Sequence, residues 1–105
     1  MPIAHSGQWL RFFHGAQDSK SNHFPLTYHM GALLMNPAPP FQITKVSSKP
    51  ILSGDEQYYA GWKRWKPKVI IPYGSIAENG GWTVTVGKND SVCGAVKLTA
   101  GELHL

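Results

Sequence analysis

Cysteine is almost absent from this sequence, since Cys93 is the only one among 105 residues. A single cysteine excludes an intramolecular disulfide and any zinc site built from several thiolates. Cys93 stands in an apolar stretch, which favours a buried small side chain over a reactive thiol. The five histidines show no His-x-His or His-x-x-x-His spacing. The sequence therefore predicts no metal site.

Long hydrophobic runs are also missing. The apolar residues occur in runs of about five to eight, whereas a membrane-spanning helix needs about 20. Near the N-terminus, Pro2, His5, Ser6 and Gln8 interrupt any apolar segment, unlike a secretory signal peptide. These features predict a cytoplasmic protein with no membrane partner.

Helical periodicity is the third absence. No window of eleven or more residues places apolar side chains at the spacing of three and four that an amphipathic helix requires. Eight prolines and eleven glycines instead divide the chain into short segments, as in all-β domains. With 42% hydrophobic residues, the chain is expected to form a single β domain over residues 1–105.

The strand-forming segments fall into two groups, approximately residues 8–47 and 68–98. Within the second group, Glu78-Asn79-Gly80-Gly81 separates two β-branched runs, and Asn-Gly and Gly-Gly supply the positive φ angles of a tight hairpin. Residues 48–67 are predicted to be irregular. The expected fold is all-β, with two consecutive antiparallel blade-like sheets.

Two small sheets leave open edges and apolar faces uncovered. The segments Met30–Met35 and Val69–Ile71 are apolar on both sides of the strand, so each sheet has two faces to bury. The sequence therefore predicts self-association, as a dimer or a higher homo-oligomer.

Acidic residues are fewer than basic ones, six against ten, which gives a net charge of +4. Four of the ten cations lie between Trp62 and Lys68, a stretch that also contains Trp65. This stretch has three interpretations: a solvated loop that covers the edge of a core, a sugar-stacking surface, or a nucleic-acid-binding surface. Because the basic excess is modest, nucleic acid is the least favoured of the three.

Six short segments follow one another in a recognisable order: Phe13-His14-Gly15, Tyr28-His29-Met30-Gly31-Ala32-Leu33-Leu34, Pro40-Phe41, Lys49-Pro50-Ile51-Leu52, Val69-Ile70-Ile71-Pro72-Tyr73-Gly74 and Asn89-Asp90. In this order they resemble the C-terminal part of glycoside hydrolase family 130, the β-mannoside phosphorylases and related hydrolases. Those enzymes are five-bladed β-propellers, and similar segments occur in modules of sugar transferases. The resemblance implies that the two sheets correspond to part of such a propeller.

The resemblance also implies binding roles. His14 and Tyr28 match positions that face the central cavity near bound phosphate or the reactive water. Asp90 matches a carboxylate that faces the sugar, and Tyr73 belongs to a tight corner of an inner strand. A carboxylate accepts hydrogen bonds from sugar hydroxyls, while His and Tyr donate them to an anion. Phosphate is the only cofactor implied.

An oligosaccharide site is therefore predicted from these four residues, with Trp62 or Trp65 as the stacking surface. The residues alone also allow a structural alternative. A histidine at the end of a strand is commonly a hydrogen-bonded structural residue, and Asn89-Asp90 after a glycine commonly closes a turn.

Catalytic residues are not assigned. Where the family has Leu-Leu-Asp and Phe-Pro, this chain has Leu34-Met35-Asn36 and Ile71-Pro72. Glycoside hydrolysis normally needs a second carboxyl group across the scissile bond. The remaining candidates lie in apparent turns or near the end of the chain: Asp18, Asp55, Glu56, Glu78 and Glu102. Whether the protein is an enzyme stays open, and a structural or interaction protein without a ligand site is a further hypothesis.

Overall fold

The chain is built from antiparallel strands. The computed structural model describes residues 3–5, 7–18 and 24–105. The strands are β1 (Ile3–His5), β2 (Gln8–Asp18), β3 (Leu26–Met35), β4 (Ile43–Val46), β5 (Leu52–Ser53), β6 (Gln57–Tyr59), β7 (Arg64–Lys66), β8 (Ile70–Glu78), β9 (Gly81–Lys88) and β10 (Val92–Thr99). Short 3₁₀ turns occupy Ala60–Trp62 and Ala100–Leu103.

The prediction of an all-β antiparallel fold is confirmed. The described residues form no closed ring of blades, so the relationship to a propeller stays a prediction. Across this same part of the chain, no helix has the length and apolar character needed to cross a membrane.

The larger sheet has the order β1-β2-β3-β4, and β5 also pairs with β3. Its central pair, β2 and β3, runs antiparallel from Trp9↔Met35 to Asp18↔Leu26. Because side chains alternate between the two faces of a strand, Leu10, Met30 and Leu34 share one face, and all three are buried. This is the core face of the larger sheet.

The smaller sheet has the order β10-β9-β8. The hairpin between β8 and β9 turns at Asn79 and Gly80, whose φ angles are 33° and 81°. Both values lie in the left-handed region that Asn and Gly tolerate. The hairpin predicted from this stretch of sequence is confirmed.

The two sheets pack face to face around one core. The larger sheet contributes Leu10, Met30, Ala32 and Leu34, and the smaller contributes Ile70, Trp82, Val84, Val86 and Leu98. Leu103, in the C-terminal 3₁₀ turn, completes the cluster. Its carbonyl accepts a hydrogen bond of 2.7 Å from the Ser47 hydroxyl, which joins the end of the chain to the larger sheet.

The prediction that residues 48–67 are irregular was wrong. This segment contains β5, which extends the larger sheet, and β6 and β7, which pair with each other through Gln57↔Lys66, Tyr58↔Trp65 and Tyr59↔Arg64. Strands of two or three residues are too short to show a hydrophobic alternation in the sequence. Their pairing therefore has no periodic signal that could have revealed it.

Cys93 is exposed, so the prediction of a buried thiol was also wrong. Cys93 pairs with Gly87 across β9 and β10. Val84 and Val86 of β9 face the core. Gly87 follows Val86 in the strand, so alternation places Gly87 and its partner Cys93 on the outer face. The apolar character of the segment comes from residues that alternate between both faces.

Candidate functional site

Two of the predicted binding residues, Tyr73 and Asp90, line the same groove. This Tyr73–Asp90 groove has a volume of about 250 Å³ and lies on the outer face of the smaller sheet, at the end next to the turn between β9 and β10. Its polar and small lining residues are Tyr73, Gly87, Lys88, Asp90, Ser91 and Cys93. The groove thus combines the Tyr73 ring with the Asp90 carboxylate and the Ser91 hydroxyl, which donates a hydrogen bond to the Asn89 carbonyl.

The Tyr73 ring lies across Gly87. A Cβ atom at Gly87 would be 2.5 Å from the Tyr73 hydroxyl oxygen and 2.9 Å from Cε2, so only glycine leaves room for the ring. Tyr73 is nevertheless 65% exposed. One side of its ring therefore covers the sheet, and the other side is open to solvent.

An irregularity in β8 places this ring. The register of β8 and β9 shifts between Pro72 and Ser75, so Tyr73 and Gly74 form a β-bulge. The Thr85 hydroxyl accepts a hydrogen bond of 3.0 Å from the Gly74 amide and donates one of 3.2 Å to the Gly74 carbonyl. Thr85 thereby satisfies the bulged backbone and fixes the direction in which Tyr73 projects.

Asp90 lies in the turn between β9 and β10. Asn89 and Asp90 have φ angles of 57° and 53°, and the Ser91 amide donates a 3.0 Å hydrogen bond to the Lys88 carbonyl. The backbone of Asp90 therefore has the turn-closing role that was the structural alternative. Its side chain is exposed and lines the groove, so the turn role and a binding role are compatible.

His14 and Tyr28 lie together but outside this groove. Their rings stack with centroids 5.7 Å apart and an interplanar angle of 16°. Neither residue lines the Tyr73–Asp90 groove. The Tyr28 backbone is tied to neighbouring segments, because its amide donates to the Lys68 carbonyl and its carbonyl accepts from the Gly54 amide. Tyr28 packs against the hydrophobic core, as expected of a structural residue.

Trp62 and Trp65 lie in a third place, the hairpin of β6 and β7. They are 53% and 46% exposed. Trp62 stacks on Tyr59, with ring centroids 5.6 Å apart, and Trp65 contacts Tyr58 edge to face at 5.7 Å. Neither tryptophan lines the Tyr73–Asp90 groove, so the predicted stacking surface and the predicted carboxylate belong to different surfaces.

A larger cavity, of about 340 Å³, lies on the outer face of the larger sheet beside Phe13, His29 and Lys49. Two of its polar side chains, His29 and Ser47, form hydrogen bonds within the protein, although the His29 Nε2 atom is buried without a partner among the described residues. His29 Nδ1 and the Ser53 hydroxyl are hydrogen-bonded at 2.7 Å, and the Ser47 hydroxyl bonds to Ala32 and Leu103. The smaller Tyr73–Asp90 groove is the better candidate because it brings together two of the predicted binding residues.

Seven of the nine lining residues of the groove were not predicted as site residues, among them Gly87, Lys88 and Ser91. Lys88 and Ser91 flank Asn89-Asp90 in the chain, so the turn itself was the available signal for them. Gly87 lies beneath Tyr73 only because of the bulge in β8, and nothing in the sequence reveals that contact.

The groove contains one carboxylate, Asp90. A second carboxyl group across the scissile bond, which glycoside hydrolysis normally uses, is not part of its lining. In the part of the chain that the structure describes, no group of three or more His, Cys, Asp or Glu side chains is placed to hold a metal ion.

Comparison of the chain with protein-family models, with curated proteins and with solved structures found no match. The resemblance to family 130 therefore rests on its six short segments alone. The proposed function therefore depends on the geometry of the groove.

Proposed function

We propose that the protein binds carbohydrate in the Tyr73–Asp90 groove. The observation that carries this proposal is the Tyr73 ring, which has one side on Gly87 and 65% of its surface exposed beside a solvent-facing carboxylate. The apolar face of a sugar ring packs on an exposed aromatic ring. The hydroxyl groups of the sugar donate hydrogen bonds to the Asp90 carboxylate.

The size of the groove suits a ring of a longer chain. Its 250 Å³ is below the roughly 300–1,000 Å³ of closed ligand pockets. A shallow groove of this size holds one sugar ring while the neighbouring rings extend into solvent. The ligand class that we propose is accordingly an oligosaccharide, and by resemblance a β-mannoside, without an assigned reaction.

The test is titration of the full chain with β-1,4-linked mannohexaose by calorimetry, together with a glycan array for other sugars. Asp90→Asn is expected to weaken oligosaccharide binding by about tenfold or more, because hydrogen bonds to a charged acceptor are worth roughly 1.5–3 kcal/mol. Its melting temperature is expected to stay nearly unchanged, since Asn also tolerates the positive φ angle.

Tyr73→Ala is expected to abolish binding, and Gly87→Ala to weaken it by displacing the ring. The matched controls are Asp18→Asn and Tyr58→Ala, which change an exposed carboxylate and an exposed tyrosine outside the groove. Absence of binding to every glycan on the array would contradict the proposal. Lower stability of Asp90→Asn without any bound sugar would leave Asp90 with the turn role only.

A further inference from the structure

The hairpin of β6 and β7, with the residues directly after it, contains a cluster of positive charge. Residues 62–68 contain four of the ten Lys and Arg residues and no acidic residue. The rest of the chain therefore has six basic residues, ten minus four, against six acidic ones. The hairpin itself, residues 57–66, holds three of these four cations and no acidic residue.

The two faces of this ribbon differ. Tyr58 and Trp65 are cross-strand partners and share one face. Tyr59 and Arg64 are partners on the opposite face, which Lys66 also joins through its pairing with Gln57. We name the face formed by Tyr59, Trp62, Arg64 and Lys66 the basic face.

The basic face contains a partial aromatic stack with a cation on it. The rings of Tyr59 and Trp62 are near parallel, with an interplanar angle of 24°. The ammonium nitrogen of Lys66 lies 4.2 Å from the centroid of the Trp62 ring. Trp62 is 53% exposed, so its indole is accessible to a ligand.

Hydrogen bonds of Asn89 hold this hairpin and the Tyr59 ring against the smaller sheet. The Tyr59 hydroxyl donates a 2.9 Å hydrogen bond to Asn89, whose amide group donates to the backbone carbonyls of Asp55 and Pro67 at 2.7 and 2.8 Å. Both ends of the hairpin and one ring of the stack are therefore fixed to the smaller sheet. A fixed aromatic surface loses little conformational entropy when a ligand binds.

From these observations we infer that the basic face binds single-stranded nucleic acid. A base is planar and continues the Tyr59–Trp62 stack by taking the exposed surface of the indole. Lys66 then exchanges its contact with the ring for one with the adjacent phosphate, next to Arg64. Stacking on aromatic rings together with cations along the backbone is how proteins bind single strands without sequence preference.

The near-parallel stack favours a nucleic acid over a sulfated glycan as the anionic ligand. A planar base can pack flat against the indole with the whole of its ring, whereas a puckered sugar ring contacts it over a smaller area. The inference is independent of the proposed carbohydrate site, because Tyr73 and Asp90 are not part of the basic face.

The test measures fluorescence anisotropy of a labelled 15-nucleotide oligo-dT strand with the full chain at several salt concentrations. An abasic strand of equal length and heparin are the comparison probes. Oligo-dT is expected to bind about tenfold or more tightly than the abasic strand, since each stacked base contributes to affinity. Arg64→Gln combined with Lys66→Gln is expected to lower the slope of log K against log salt by about 1.4.

Trp62→Ala is expected to reduce oligo-dT affinity to that of the abasic strand. Trp65→Ala, on the opposite face of the same hairpin, is the matched control and is expected to retain binding.

Equal affinity for oligo-dT and the abasic strand, or tighter binding of heparin than of oligo-dT, would overturn the inference. So would the absence of oligo-dT binding at 50 mM salt, or an equal loss in the two tryptophan variants. Because the two charge substitutions lie at exposed or half-exposed positions, the salt slope tests the inference even if a tryptophan variant fails to fold.

Discussion

Asn89 is the polar side chain on which two surfaces of the molecule depend. It is 2% exposed, and its side chain forms three hydrogen bonds, accepting one from the Tyr59 hydroxyl and donating to the carbonyls of Asp55 and Pro67. Its backbone also has a positive φ angle in the turn that presents Asp90. Asn89 thereby positions the aromatic hairpin and the Tyr73–Asp90 groove relative to the same sheet.

Asn89→Ala is expected to lower the free energy of unfolding by about 2–4 kcal/mol, because it removes three partly buried hydrogen bonds and places alanine at a positive φ angle. Urea denaturation measures this change. Asp90→Asn is the neighbouring control, and its exposed side chain predicts a change within about 0.5 kcal/mol. Equal stability of the two variants would contradict the anchoring role of Asn89.

The difference between Asn89 and Asp90 shows how far individual residues could be predicted. The Gly-Lys-Asn-Asp sequence indicates a turn, and a turn is present. Which of its two polar side chains is buried depends on Asp55, Tyr59 and Pro67, which approach from a segment predicted to be irregular. Tyr73 was predicted as a binding residue, but its contact with Gly87 follows from the bulge in β8 and not from a sequence pattern.

At the scale of single elements, the hairpin of β8 and β9 depends on the left-handed conformation of Gly80. Its φ angle is 81°, where a β-branched side chain is strained. Gly80→Val is expected to lower the free energy of unfolding by about 1–3 kcal/mol, which chemical denaturation measures. Asn79→Gly keeps the allowed backbone angles and should change it by less than about 0.5 kcal/mol. Unchanged stability of Gly80→Val would be incompatible with this turn.

The C-terminal 3₁₀ turn is capped by its own carboxylate. The Thr99 amide and hydroxyl donate hydrogen bonds of 2.9 and 3.0 Å to Glu102 Oε1. These bonds, with a smaller contribution from the charge of His104, hold the pKa of Glu102 below its ordinary value of 4.5. The cap orders the turn that places Leu103 in the core.

The lowered pKa of Glu102 predicts how the stability of the protein changes with pH. A carboxyl group with a lower pKa in the folded state contributes stability above its unfolded pKa, and that contribution disappears as the pH falls through the folded value. The wild-type protein is therefore expected to be more stable than Glu102→Gln at pH 7, with the difference shrinking towards pH 3. Thermal melts at several pH values measure it, with Asp18→Asn as the control. A difference that does not depend on pH would exclude the charged cap.

The long strands were predicted from the sequence more completely than the short ones. The β2–β3 pair and the β8–β10 sheet were visible in the sequence because their strands of eight to eleven residues carry apolar and β-branched runs between turn residues. The strands β1, β5, β6 and β7, of two or three residues, were missed. The positions of these short strands are decided by tertiary hydrogen bonds such as those of Asn89.

At the scale of the whole molecule, much apolar surface stays exposed. The described residues include eleven buried hydrophobic residues and an equal number of exposed large ones. The radius of gyration is 15.1 Å, compared with about 13 Å for a compact chain of this length. Face-to-face packing of two sheets buries one face of each, and the outer faces lie open.

The outer face of the larger sheet holds a continuous apolar surface. Trp9, Met35 and Ile43 are partners across β2, β3 and β4, and Leu33 pairs with Val46 in the adjacent row. Trp9, Ile43 and Val46 are 40%, 58% and 51% exposed. The charged residue in these rows is Arg11, opposite Leu33. A face with so little charge suits a copy of itself better than a charged partner.

We therefore expect the chain to form a homodimer through this outer face. The strand segments that are apolar on both sides led to the same prediction from the sequence. Sedimentation velocity at micromolar concentration should show a dimer, and Ile43→Lys together with Val46→Lys should convert it to a folded monomer, because two buried ammonium groups oppose association. Ile76→Lys is the matched control, since Ile76 is 59% exposed in the other sheet, and it should leave the dimer intact. A stable, well-folded monomer of the unmodified chain at these concentrations would refute the expectation. It would show that this small core tolerates an open apolar face, and it would remove the argument that the two sheets need further blades or a second copy to cover them.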